Sequence, residues 1–169
     1  TAIFGERNRG NVYNLFKQIS SGKFLMIGTG ENKKSMAYVR NVVSFIIYRT
    51  NKKEKGYNVF NYADGPDLNM NELSSMIEKK IGINIPKFKI PYYFGYLGGL
   101  CFDLISFIFD KNQPISSVRV RKFCATTQFD ASKAHKNFKG LFTIEEGINK
   151  TLDYEFINSK NDDVLFYSE

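Results

Sequence analysis

Short apolar runs of strand character alternate with runs of helical period along the first half of this chain. That alternation limits it to a layered α/β arrangement. Ala2-Ile3-Phe4, closed by Gly5, reads as a buried strand. Val12, Leu15, Phe16 and Ile19 then recur at helical spacing until Ser20-Ser21-Gly22 ends the run. Phe24 to Ile27 is strand-like, Gly28-Thr29-Gly30-Glu31-Asn32 supplies turn residues, and Ser35 to Val39 returns, so a hairpin is expected. Asn41 is placed to cap a helix carrying Val42, Val43, Phe45, Ile46 and Ile47. Tyr57 to Tyr62 alternates as a strand. Asn69 with Glu72 has capping-box spacing ahead of Leu73, Met76, Ile77 and Ile81.

The second half is harder to divide. Ile90 to Phe109 is its most apolar stretch, but Pro91, Gly95, Gly98, Gly99 and Asp103 interrupt it. A membrane span asks for about twenty mostly apolar residues with no carboxylate in mid-run, so one or two buried helices are expected instead. Ser116 to Thr126 is β-prone and basic. As a strand it would carry Arg119 and Arg121 on one face, where two guanidiniums can grip a diphosphate. A solvated charged face is the plain alternative. Ala131 to Asn137 reads as a short helix, and Thr143 with Glu146 caps a last amphipathic helix reaching about Phe156. The expected organisation is one unit over 1–157 and a polar tail over 158–169.

Charge narrows the partners. Lys and Arg number 24 against 17 Asp and Glu, a net +7 that suits an anionic partner. Cys101, Cys124 and the single His135 match no zinc spacing, so no metal site is expected. Nothing suggests a disulfide scaffold, which points to the cytoplasm. The opening Thr1-Ala2-Ile3-Phe4-Gly5 has no Met and no leader pattern, and reads as a cut through a longer chain. Gly28-x-Gly30 lacks the third glycine of a dinucleotide fingerprint, since position 33 is Lys. Tyr-x-x-x-Lys occurs at Tyr13 to Lys17 and Tyr48 to Lys52, in neither case after such a fingerprint, and chance spacing is the simpler reading. His135 reads as a surface imidazole and Cys124 as a packing residue. A stand-alone basic module for nucleic acid is the rival reading; it needs exposed aromatics beside the basic segment.

In order and spacing, several segments together resemble the second half of the extended short-chain dehydrogenase/reductases, the NAD-dependent nucleotide-sugar epimerases and dehydratases. These are Phe4-Gly5, then Gly28 through Val42, then Tyr57-Asn58-Val59, Phe129-Asp130-Ala131-Ser132-Lys133-Ala134, and Ile144-Glu145-Glu146-Gly147-Ile148 with Thr151. The resemblance implies the C-terminal portion of a Rossmann-like α/β fold, with a small helical substrate-binding part. It also implies a nucleotide-diphospho-sugar, a UDP- or dTDP-hexose, as ligand, and NAD as the cofactor of the complete enzyme. The NAD fingerprint and the catalytic Tyr and Lys would belong to a missing N-terminal half. This chain alone would then bind no NAD and hold no catalytic residue.

Carried across residue by residue, the resemblance places Gly10, Asn11 and Val12 near the diphosphate. It sets Phe24, Leu25 and Ile27 in the segment facing the nucleobase. Lys34 stands where an arginine commonly binds the diphosphate, and Arg119 or Arg121 matches a second such group. Three positions depart from the pattern. Lys34 keeps the charge but not the fork of Arg, Asn41 stands where Asp is usual, and Cys124 follows Arg121 where an Asp would help hold a ribose. The implied partners are the nucleotide sugar and the other half, with oligomers possible through the full-length enzyme and no role for nucleic acid or membrane.

Overall fold

In the computed structural model, residues 1–52, 55–109 and 116–158 are described. The polar tail expected over 158–169 therefore lies, beyond Asn158, outside the described residues. Among the described residues, five short strands and seven helices follow in the order β1 (Ala2–Phe4), α1 (Asn11–Ser20), β2 (Met26–Ile27), β3 (Lys33–Tyr38), α2 (Val39–Asn51), β4 (Asp64–Asn69), α3 (Met70–Ile81), β5 (Lys89–Ile90), α4 (Tyr92–Phe109), α5 (Ser117–Cys124), α6 (Ser132–His135) and α7 (Ile144–Leu152). A π-helical turn over Asp153–Ile157 continues α7.

The strands form two sheets. β3 is central in the larger one, parallel to β1 and antiparallel to β4, while β2 and β5 pair in parallel as a separate sheet. The expected hairpin is therefore absent. β2 and β3 belong to different sheets, and the Gly28–Asn32 segment carries the chain between them. Gly28 and Gly30 hold φ of 79° and 77°, and a side chain on Gly30 would meet Asn71 within 2.3 Å. The strand expected at Tyr57 to Tyr62 is also absent, because the pairing begins only at Asp64.

Both capping boxes form as the spacing predicts. Asn69 accepts from the Glu72 amide while Glu72 accepts from that of Asn69, and Thr143 with Glu146 does the same for α7. The apolar stripes of α1, α3 and α7 then meet β1 and β3 in one core, with Phe16, Ile19, Ile77, Ile148 and Leu152 fully buried. Tyr38 ends β3 at its centre. Its ring lies 5.7 Å from that of Phe4 and 5.6 Å from that of Phe142, and a Cβ on Gly147 would come within 2.8 Å of it. α7 can approach this closely only because that position is glycine.

Asn41 does not cap α2, which begins two residues earlier with Tyr38 as its N-cap. It is buried in the first turn, where its amide group donates 2.9 Å to Asp64 and 2.8 Å to the Phe142 carbonyl and accepts 3.0 Å from the Phe142 amide. Asp64 accepts in addition from the Tyr38 amide at 2.6 Å and the Tyr62 hydroxyl at 2.9 Å. Burial, with the Asp64 charge added, pushes the Tyr62 phenol well above its ordinary range.

The two donors of Asn41 explain why its carboxylate analogue does not fit. Asn41→Asp would leave the Phe142 carbonyl unpaired and set one carboxylate against another. We expect a loss of about 3 kcal/mol at neutral pH, within the range for an unpaired buried polar or charged group. Part of it should return as the pH falls and the two carboxyls share a proton, raising the variant's pKa in the folded state. Urea denaturation at pH 7 and pH 4.5, against the parent, checks both the loss and its sign.

Candidate functional site

The segment resembling the nucleobase-facing strand and the basic segment meet on one side of the molecule, but not as two strands. Most of Ser116 to Thr126 is helix α5, Ser117–Cys124, and not a strand. Ser116 caps it by accepting from the Arg119 amide at 3.2 Å, and its first turn packs on α4, where a Cβ on Gly99 would come within 2.7 Å of Ser117. Arg119 and Arg121 are both exposed and flank the buried Val120. At 3.6 residues per turn they lie roughly 200° apart, so they share no face.

Lys34 is half-buried, and its side chain crosses from β3 to the last turn of α5. Its ammonium donates to the Lys122 carbonyl at 2.8 Å and also to that of Ala125. A cation there satisfies carbonyls that have no partner within the helix. Burial lowers the Lys34 pKa, and the nearby Cys124 opposes that shift. The Cys124 thiol, pushed up by its own burial, lies 3.4 Å from the Ile27 carbonyl. It packs as a small protonated group, as the sequence reading has it.

Around this junction, Asn32 donates to the Phe123 carbonyl at 2.7 Å, and the Phe24 and Phe123 rings meet edge-on at 6.0 Å. Phe24 is buried and Leu25 faces outward. Ile27 lies under α4, where a Cβ on Gly95 would approach it to 2.5 Å. Thr127 bridges to β3 through Ser35 and Lys33 at 2.8 and 2.9 Å. The structure thus assembles Phe24 to Ile27, Lys34 and α5 at one junction.

Gly10, Asn11 and Val12 are elsewhere. They begin α1 beyond the C-terminal end of β1, which aligns with Tyr38, whereas Lys34 stands at the other end of β3. Four residues of strand put about 13 Å between those ends. Gly10 and Val12 are buried, and only Asn11 of the three faces outward.

A network absent from the sequence reading holds the loop beside the junction. Lys89 donates to the Thr29 carbonyl at 2.8 Å and to Asn71 at 3.0 Å, and Asn71 donates to Glu31 at 2.7 Å. The only signal for it was an Asn in the first turn of α3. The adjoining cleft, lined by Phe24, Met26, Asn71 and Ser74, measures about 170 Å³. That is below the several hundred Å³ of small-molecule sites.

The other candidates have structural partners. Tyr13 stacks on Phe156 at 5.6 Å beneath the Arg9 guanidinium, and Lys52 lies 4.9 Å from the Tyr48 ring centre. His135, exposed, sits 2.7 Å from the Ala63 carbonyl. Gly28-Thr29-Gly30 opens onto strand β3, whereas a dinucleotide site needs a helix there to meet the pyrophosphate. This turn therefore does not fit a dinucleotide fingerprint.

No protein-family model matches the sequence. Among curated proteins, the N-acetyl-alpha-D-glucosaminyl-diphospho-ditrans,octacis-undecaprenol 4-epimerase of Escherichia coli O157:H7 is 55% identical over 170 residues, covering 100% of this chain and 51% of that protein. Among solved structures, UDP-glucose 4-epimerase of Thermotoga maritima, with UDP-glucose, superposes with a TM-score of 0.58 at 22% identity, over 93% of this chain and 44% of that one. UDP-glucuronic acid 4-epimerase of Bacillus cereus, with NAD, gives a TM-score of 0.61 at 16% identity, over 90% and 42%. Along its whole length the chain is similar to that 4-epimerase, and in fold it is similar to the UDP-sugar epimerases. It matches the C-terminal portion of their fold, and it spans about half the length of the curated relatives it matches. None of these relatives supports the nucleic-acid reading.

If Lys34 holds the end of α5, Lys34→Ala should loosen that turn. We expect amide exchange at Cys124 and Ala125 to quicken roughly tenfold, the equivalent of one lost charge-assisted hydrogen bond. Amides of α3 should be unchanged. Exchange followed by NMR or mass spectrometry reads both.

Proposed function

We propose that this chain is the substrate-holding part of a 4-epimerase. Its substrate would be an N-acetylhexosamine joined through a diphosphate to a polyprenyl carrier. The observation that carries this reading is the 55% identity to the E. coli epimerase along the whole chain. Inversion at C4 of GlcNAc is what that relative's name describes, and the junction of β2, β3 and α5 supplies groups suited to the rest of the molecule. Arg121, three residues before Cys124, lies on the side of α5 that carries Cys124 toward Ile27, and it adjoins Lys122, whose carbonyl Lys34 reaches. A guanidinium there can fork across two phosphate oxygens, while Lys34 adds a point charge. Where a nucleoside would rest, the chain offers Leu25 outward and Ile27 under α4, which are aliphatic neighbours fit for a prenyl chain.

NAD, on this reading, is the cofactor of the complete enzyme, supplying a hydride acceptor at the sugar, and its site belongs to the half that the resemblance places before Thr1. The share of this chain is to hold the diphosphate and fix the sugar's position. A UDP- or dTDP-hexose is the competing substrate, favoured by the fold shared with UDP-sugar epimerases. A cytoplasmic location goes with this reading, since the two cysteines suggest no disulfide scaffold.

The test is calorimetric titration of the complete enzyme with GlcNAc-diphosphate on a short, water-soluble prenyl chain, and separately with UDP-GlcNAc. We expect the prenyl compound to bind at least tenfold more tightly and to yield the C4 epimer. Arg121→Ala should weaken it about tenfold, as for one charged hydrogen bond, and Arg119→Ala less. Tighter binding of UDP-GlcNAc would return the assignment to a nucleotide sugar, and an unaffected Arg121→Ala would remove α5 from the site.

A further inference from the structure

Helix α4 is amphipathic the wrong way round for a helix in water. The face against the body carries glycine and a carboxylate. Gly95 lies on Ile27, Gly99 lies on Ser117, and Asp103 accepts from the Ser117 amide at 3.1 Å. These contacts fix the helix's rotation about its axis. They turn Tyr93, Phe94, Leu97, Leu104, Phe107 and Ile108 outward, each between 58% and 86% exposed. With Leu100, 43% exposed, bridging Leu97 and Leu104, these positions are linked by steps of three and four and form one continuous stripe. An apolar surface of this kind marks an interaction site.

The neighbouring charges select the occupant. α5, packed alongside, exposes Val118, Arg119, Arg121 and Lys122, and Asp103, the one acidic residue among the described residues of α4 and α5, is turned inward. The result is an apolar stripe next to a helix whose exposed charged residues are all cations, which complements an anionic lipid surface. A second copy of the chain would bring the same cations against themselves. No helix among the described residues is long and apolar enough to cross a membrane, and the 18 residues of α4 extend about 27 Å. The geometry therefore suits a helix lying in the plane of the interface.

We propose that α4 docks on an anionic bilayer, with its outer stripe at the acyl boundary and the α5 cations among the head groups. This reverses the expectation of no membrane role. It rests on the polyprenyl-diphosphate reading for its purpose, since such a carrier stays in the bilayer while its head group enters the site at the α4–α5 junction. The docking itself requires no substrate.

The experiment is co-sedimentation of the intact protein carrying this chain with vesicles free of polyprenyl lipid. One set is phosphatidylcholine alone, the other phosphatidylcholine with an equal part of phosphatidylglycerol. We expect binding to the anionic vesicles that falls with salt and drops at least tenfold in Leu97→Glu/Phe107→Glu. A matched control on α2, Val43→Glu/Ile46→Glu, should bind like the parent. Phe107→Trp should add fluorescence that shifts to the blue on those vesicles, which gives a readout even if the charged variant is poorly folded. No sedimentation with anionic vesicles, equal binding by the α4 variant, an unshifted tryptophan, or a dimer that the α4 substitutions dissociate would each overturn the proposal. Because the vesicles hold no substrate, tight binding of the prenyl sugar diphosphate without vesicle binding removes the docking and leaves the proposed substrate in place.

Discussion

The carboxylate of Asp64 is the constraint on which the sheet and the C-terminal segment both depend. It is buried and accepts from the Tyr38 amide, the Asn41 side chain and the Tyr62 hydroxyl, so one backbone and two side-chain donors converge on two oxygens. A buried charge is tolerable only when so fully hydrogen-bonded. Asn41 passes the connection onward to Phe142, which sets the start of α7 and lets Gly147 close on the Tyr38 ring. Residues more than a hundred positions apart are thereby held to one register. The end of β3 and the aromatic cluster around Tyr38 follow from it.

A second, smaller assembly stands beside this body. β2 and β5 pair away from the main sheet, and α4 and α5 lie over them with glycines at the closest approaches. It is fastened by polar groups: Lys34 to the end of α5, Asn32 to Phe123, and Lys89 through Asn71 to the Gly28–Asn32 loop. The family resemblance and the proposed substrate site converge on this seam, where a rigid strand edge meets a helical cover.

Sequence made some of this legible and concealed the rest for physical reasons. Helices α1, α3 and α7 were readable because a full apolar stripe and, for two of them, a capping box act locally. The hairpin was misread because turn residues at Gly28 to Asn32 reveal a change of direction and not the strand's partner, which here is β5, sixty residues on. Val118 and Val120 gave α5 a strand-like alternation, and the Ser116 cap together with the Gly99 contact overrode it. That error put Arg119 and Arg121 on one face. Asn41 was read as a cap because its spacing fits one, while its partners, Asp64 and Phe142, lie far along the chain. The burial expected of the apolar stretch before Phe109 failed for a related reason. Periodicity identifies a stripe but cannot say which side meets the protein, and Gly95 and Gly99 of α4 decide that.

The polar fastening of α4 and α5 also bears on how such a chain can diverge. The fold's hydrophobic interior is composed by α1, β1, β3, α3 and α7, whereas the segment from β5 to Cys124 contributes chiefly Phe123 and Val120 to buried packing. It behaves as a cassette seated on a chassis. Changes within residues 89–109 and 116–125 can therefore reshape the surface of this helical cover while the interior that makes the domain fold stays as it is.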